Sequence, residues 1–250
     1  MSMLSHNSDR GTFPPPYTVQ VSARARNARL KMTPHDGLIV VVPEGFNKSH
    51  IVALLNRHEL WIRKTAEKLD AQRQEPLPAL ANGLPCTVTF SHFDEAWEVE
   101  YVQTAIGKAA IKERPNNSLL VSGDVDNDAL CRKLLFSWLK HRAGQLLLPW
   151  FEQLAASLDF DYAEAKVRLQ HSRWGSCSSS RVITLNNKLL FLPEHLIRNI
   201  MIHELCHTVH LNHSRSFWAL VHQYDPLWRI HNREMKSAWK YVPAWVSGKA

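Results

Sequence analysis

The sequence predicts an α+β fold, with a mostly antiparallel, β-rich N-terminal half containing one helix, followed by a mainly helical half. Three observations predict it. Short alternating apolar and polar runs fill the first 122 residues, long helical periodicity takes over at Asp126, and a histidine-bearing helix follows a pair of short strands. At 250 residues, 45% hydrophobic and 21% charged, the chain can bury a core and does not read as disordered. No apolar stretch approaches the roughly 20 residues of a membrane span, so no membrane partner is expected.

The first 16 residues lack the apolar run of a secretory signal and are expected to form a flexible leader. The N-terminal region is drawn at 17–122. From Tyr17 to Val42, "YTVQVSARARNARLKM" and "GLIVVVP" read as two β segments joined by a turn at Pro34, Asp36 and Gly37. Arg24, Arg26, Arg29 and Lys31 could form a phosphate-binding row or a solvated strand face, and they are left unassigned. After Pro43, Ile51, Leu54, Leu55, His58, Trp61 and Ile62 recur at helical spacing, with Asn47 or Ser49 as the cap. "EPLPALANGLP" at 75–85 breaks that period and is the linker candidate. "CTVTFSHF", "WEVEYVQTA", "AAIKE" and "SLLVSG" then read as strands.

The second domain is drawn at 123–250. Its helical periodicity runs from Asp126 to Leu158, with Pro149 expected to kink it or to mark a junction between two helices. "AKVRLQ" and "RVITLNNKLLFL" read as strands around the turn-rich "HSRWGSCSSS", the second spanning Val182 to Leu192. Pro193 opens a helix that runs through the histidine cluster, and two more helical stretches end the chain.

The formal charge of +7 favours acidic partners without naming one, since no RNP, zinc-finger or basic-helix signature accompanies it. Cys86, Cys131, Cys177 and Cys206 are widely spaced, with no C-x-x-C pair. That pattern points to a reducing cytoplasm and not to a disulfide framework.

The informative stretch is "HELCHTVHLNH" at 203–213. With 14 histidines in the chain, chance yields only about 0.04 H-E-x-x-H matches. On a helix, His203 and His207 lie one turn apart on one face, so both imidazoles can converge on one ion. Glu204 sits about 100° round, able to reach a water without becoming a ligand. Ile202, Leu205 and Val209, with Cys206 at the edge, are expected to face the core.

The third ligand is expected to be His213. His210 shares the ligand face, but a straight helix carries it about 10 Å along the axis from His203. If the helix ends near Leu211-Asn212 with Asn212 left-handed, the next residue swings back toward the ion. The resulting spacing matches metzincins, with His210 where those enzymes have glycine. Glu234 is the fallback. Three imidazoles leave a tetrahedral Zn2+, one per chain, with a position for water, the arrangement of catalytic sites. Glu204 would then serve as general base and proton donor to the leaving amine.

"SRWGSCSSSRVITLNNKLLFLP" at 172–193, "HELCH" and "NHSRSFWALV" at 212–221 together resemble the YgjP-like zinc metallopeptidases, zincins distantly related to the SprT-like and WLM proteases. The similarity extends more loosely over Tyr17 to Lys236. It implies zinc on His203, His207 and His213, Glu204 as base, and a zincin-like catalytic half in which a strand borders the substrate cleft. That strand would be Val182 to Leu192, with Thr184, Leu185 and Asn186 offering an edge to an extended peptide. Trp174 and Gly175 would shape the turn before it. Arg173 could steady an oxyanion or hold the turn by an ion pair, and His210 could tune His213 or capture a second metal. Phe217 and Trp218 would dock the following helix as core residues.

The expected activity is that of a cytoplasmic, zinc-dependent hydrolase cleaving amide bonds in a peptide or protein. Two alternatives remain at this level. One is a DNA-associated, SprT-like protease or nucleic-acid-binding protein, suggested by the positive charge. The other is a non-peptide amidase, because the same chemistry serves any activated carbonyl.

Overall fold

The computed structural model describes residues 13–33, 37–70, 83–104 and 109–247. Most of the leader, the turn at Pro34 and Asp36 and most of the 75–85 linker lie outside these residues. The fold is α+β, and the described residues form three mixed sheets and no closed barrel. The chain divides into two compact units, residues 1–74 and 75–250.

In the first unit the predicted pair of β segments is three strands: β1 (Tyr17–Val21), β2 (Arg29–Thr33) and β3 (Gly37–Val42). β3 lies between the others, parallel to β1 and antiparallel to β2. Its unbroken apolar run is what a strand covered on both faces requires, and Leu38 to Val42 are all buried. Arg24, Arg26, Arg29 and Lys31 are exposed. The expected single helix divides at His58 into α1 (His50–Arg57) and α2 (Glu59–Asp70). Ile51, Leu55 and Ile62 carry its apolar stripe across the break into one core with Leu38, Val40 and Val42. Ser49 is the N-cap residue, but its side chain makes no cap hydrogen bond; Asn47 Oδ1 accepts from the Ser49 N–H at 3.0 Å, ahead of the helix.

The second unit begins with β4 (Thr87–Phe90), β5 (Glu95–Gln103), β6 (Ala110–Arg114) and β7 (Ser118–Gly123), ordered β4-β5-β7-β6. β5 and β7 are parallel, so the N-terminal sheets are more mixed than the alternation suggested. A single helix follows, α3 (Asp128–Ser157), which passes through Pro149 without dividing. Asn127 caps it by accepting from the Leu130 N–H. One stripe, from Cys131 and Leu135 through Leu147 to Leu154, is buried along its length of about 45 Å. Trp138 meets Phe90 and Trp97 of the four-stranded sheet, and Phe151 meets Tyr162 before the next sheet. Residues of β4, β5 and β7 therefore share one core with the helices that follow. The compact unit reaches back to 75, well before the boundary drawn at 123.

The last sheet contains β8 (Glu164–Arg168), β9 (Gly175–Cys177) and β10 (Val182–Asn186), in the order β8-β10-β9. The strand expected to reach Leu192 ends at Asn186, and Asn187–Phe191 form a 3-10 turn. The helices α4 (Glu194–Cys206), α5 (Arg215–Tyr224), α6 (Trp228–Met235) and the short α7 (Ala244–Ser247) complete the unit. Among the described residues, no helix is long and apolar enough to cross a membrane.

Candidate metal centre

α4 presents His203 and Glu204 in its last turn and ends at Cys206, with His207 as its C-cap. This is one turn earlier than the histidine spacing suggested. Tight bonds close the end: the N–H groups of Thr208 and Val209 reach the carbonyls of Leu205 and Cys206, at 2.9 and 3.2 Å. Asn212 is not among the left-handed residues, so the return of the chain is made by this turn and not by a left-handed Asn. Val209, expected to face the core, is 58% exposed for the same reason.

The return brings His213 to the other two rings. Nε2 of His203 lies 3.2 Å from Nε2 of His207 and 3.1 Å from Nε2 of His213. One ligand atom from each of the three falls within 4.8 Å of the others. Nitrogens bound to one tetrahedral zinc at 2.0–2.1 Å would stand about 3.3 Å apart, so the spacing fits that ion. The tautomer fits as well. Nδ1 of His207 sits 2.9 Å from the His210 carbonyl, which can only accept, so Nδ1 holds the proton and Nε2 presents its lone pair. His210 thus acts on the cluster through its main chain, and on His207, where an effect of its imidazole on His213 was expected.

Burial, then the neighbouring His207 and His213, push His203 down to about 3. Burial also lowers His207 against the opposing pull of the His210 carbonyl. Both rings are therefore neutral at physiological pH, the state that binds a cation. Phe217, fully buried, backs the cluster: its ring stacks on His207 at 4.4 Å and meets His203 and His213 edge-on at 5.0 and 4.8 Å. Trp218 lies against His213 at 5.5 Å and stacks on Trp228 at 4.3 Å. Ser214 accepts from the Phe217 N–H, starting α5 directly after His213. Phe217 is a core residue, as the sequence suggested, whereas Trp218 is half-buried against that core, and both lie against the histidine rings.

Glu204 is 5% exposed, and burial pushes its carboxyl up to about 8 against the lowering field of Arg173. Its side chain lies on Gly175 of β9, where a β-carbon would come within 2.6 Å of Oε1. That closeness was missed in the sequence, where Gly175 read only as a turn former. Arg173 is exposed and faces Glu204 electrostatically. Its carbonyl and that of Gln170 accept from the buried Asn186 side chain at 2.6 and 2.9 Å, which clamps the turn into β9. Trp174 stacks on Trp239 at 4.2 Å, fixing the same turn from outside.

Thr184, Leu185 and Asn186 do not form an edge. β10 is paired on both sides, with β8 and β9, and all three residues are buried. The edges of this sheet are β8 and β9, and β9 is the one that carries Gly175 against Glu204. Ser178 N–H reaches Val182, and Trp174 accepts from Asn186, so alternation turns the main-chain groups of Gly175 and Cys177 away from β10. Glu234 is engaged elsewhere, by His195 and Tyr241, and Cys206 is a buried core thiol pushed up to about 12 by burial.

An α+β unit with three imidazoles converging beside a buried glutamate is the kind of protein that handles metal-dependent chemistry. Residues 26–238 match the YgjP-like metallopeptidase domain, and the chain belongs to that family. Among solved structures, the metallopeptidase zymogen abylysin of Pyrococcus abyssi is 26% identical over 35% of this chain and 90% of its own, with a TM-score of 0.32. No curated protein matches the chain.

Proposed function

We propose that the protein is a zinc metallopeptidase with one ion held by Nε2 of His203, His207 and His213. The observation that carries this reading is the convergence of those three nitrogens at 3.1–3.2 Å, with Glu204 buried beside them. Zinc bound there supplies Lewis acidity, polarising the scissile carbonyl and making water more acidic. Glu204 takes the proton of the attacking water on its carboxylate and delivers it to the nitrogen of the leaving amine. Burial makes that carboxylate a stronger base than an exposed one, and a cation bound beside it would favour the ionised form that accepts the proton. Gly175 allows it to lie against the strand, and Arg173 offers a cation on the same side for the developing oxyanion.

The free edge of β9 favours a peptide over a small amide, because the main-chain groups of Gly175 and Cys177 can pair with an extended substrate beside Glu204. Four free cysteines, two of them buried, support a reducing cytoplasm as the place of action.

Elemental analysis and a peptide-library cleavage assay test the reading together. One zinc per chain is expected in the wild type and in Glu204→Gln, with activity falling about 10²–10⁴-fold in the variant. His213→Ala is expected to lose the metal, and His210→Ala to keep it, since its backbone carbonyl is retained. Metal loss in His210→Ala with retention in His213→Ala would overturn the ligand assignment. Undiminished cleavage by Glu204→Gln would remove the proposed base.

A further inference from the structure

The positive charge of the chain is unevenly placed. Residues 1–74 hold 11 of the 30 Lys and Arg but 6 of the 23 Asp and Glu, and so carry five of the seven surplus charges. Arg24, Arg26, Arg29 and Lys31, on and before β2, are all exposed, as are Arg57 and Lys64 of the helices. The charge is concentrated on a small unit that the zinc site does not use.

β2 is also an edge. Among the described residues it pairs only with β3, which leaves a row of main-chain donors and acceptors facing outward. An open groove of about 420 Å³ lies there, lined by Ala28, Arg29 and Leu30 from the strand side and by Leu54, His58 and Trp61 from the helices. Trp61 is 42% exposed, although the next residue, Ile62, is fully in the core. Along β2, Leu30 and Met32 are half-buried while Arg29 and Lys31 are exposed, so apolar and cationic side chains alternate between its faces.

We propose that this groove docks an extended acidic segment of a partner or substrate protein, which adds to the edge of β2 as a fourth strand. Its apolar side chains enter between Leu30, Leu54 and Trp61. Its carboxylates, at the alternate positions, meet Arg29 and Lys31, with Arg24 and Arg26 beyond. Main-chain pairing sets the register and the pocket selects the anchor residue. A nucleic acid could use the same cations, but a strand edge gives its backbone no ladder to join, and one tryptophan offers a single stacking surface.

Fluorescence anisotropy on the full chain carrying Glu204→Gln, which keeps the probe from being consumed, decides the matter. The probe is a labelled decapeptide in which Asp or Glu alternates with Leu or Val. Saturable binding is expected, weakened at least about tenfold by Trp61→Ala and, separately, by Arg29→Glu. Melting temperature should be preserved in both, because each side chain is exposed. N-methylation of alternate backbone amides of the probe should weaken binding by a similar factor. The proposal is overturned if the peptide does not bind, or if both variants bind it as the parent does. It is equally overturned if an oligodeoxythymidylate binds more tightly through the same residues, or if the groove is covered by a second copy of this chain in solution.

Discussion

Gly175 meets Glu204 so closely that a β-carbon would lie 2.6 Å from Oε1, 2.8 Å from Cγ and 2.9 Å from Cδ. Real β-carbons do not approach that near, and a glutamate buried at 5% exposure has little room to retreat. Gly175→Ala is therefore expected to reduce kcat about 10²-fold or more while zinc content and the circular dichroism spectrum stay unchanged. Unaltered kcat would show that the glutamate is not held where the strand places it. Asn186 is the second sensitive position. Its amide donates to the Gln170 and Arg173 carbonyls and its oxygen accepts from the Lys188 N–H at 3.1 Å, and the Asn186 side chain itself is fully buried. Asn186→Ala leaves these groups unsatisfied and is expected to cost about 2–3 kcal/mol in a denaturant titration. At this scale the sequence reveals only what local spacing encodes. His203, Glu204 and His207 follow from helical periodicity, and His213 from the need for a turn after them. The roles of Gly175 and the His210 carbonyl do not, because one depends on a partner 29 residues away and the other is a backbone atom that no residue type marks.

Element by element, long periodic segments are legible and short ones are not. α3 is expected from its period, with Pro149 marking a kink or a junction between two helices; no junction forms, and the helix continues because packing along its whole stripe outweighs the loss of one backbone bond. β9 has three residues, too few for alternation to register, and it lies in a serine-rich stretch that reads as a turn. Missing it transferred the substrate edge to β10, which the sheet order places in the centre. The parallel pairing of β5 with β7 is likewise invisible, since alternation does not encode direction. The tie between β5 and α3 includes a polar cluster. Arg142 Nε donates to Glu95 Oε2 at 2.8 Å, its Nη2 donates to Oε1, and the Trp97 indole N–H donates to Oε2 at 2.9 Å. Burial alone would raise the Glu95 carboxyl, but Arg142 and the indole hold it below its ordinary 4.5. A carboxyl with a lowered folded pKa contributes stability that is complete above the unfolded value and is lost as pH falls through the folded one. Glu95→Gln is thus expected to lower stability near pH 7 by about 2 kcal/mol, and to lose less than the wild type between pH 5 and pH 3. Parallel pH profiles from urea melts would contradict this.

The molecule as a whole separates into units by shared burial and not by change of secondary structure. Periodicity placed a boundary at 123, where strands give way to helices. The core ignores that change: Leu84, Val88, Phe90, Trp97, Val99, Leu119 and Val121 lie in one cluster with Leu135, Trp138 and Leu139 of α3, and this cluster continues to Ile202 and Leu205 behind the histidines. Removing the four-stranded sheet would bare that surface. Each large apolar side chain moved from burial to water costs about 1.5–3 kcal/mol, so losing several exceeds the 5–15 kcal/mol by which a domain is usually stable. The first unit has a separate core of Leu38, Val40, Val42, Ile51, Leu55 and Ile62. Two fragments distinguish the boundaries. Residues 75–250 are expected to fold cooperatively and bind one zinc, because every member of the larger core is retained. Residues 123–250 are expected to be aggregated or molten, with weak zinc binding, because α3 has lost the sheet it covers. Heteronuclear NMR spectra and metal titration of both fragments check this. A well-dispersed spectrum and full zinc affinity in the shorter fragment would restore the boundary at 123 and show that the sheet is an accessory to the catalytic fold.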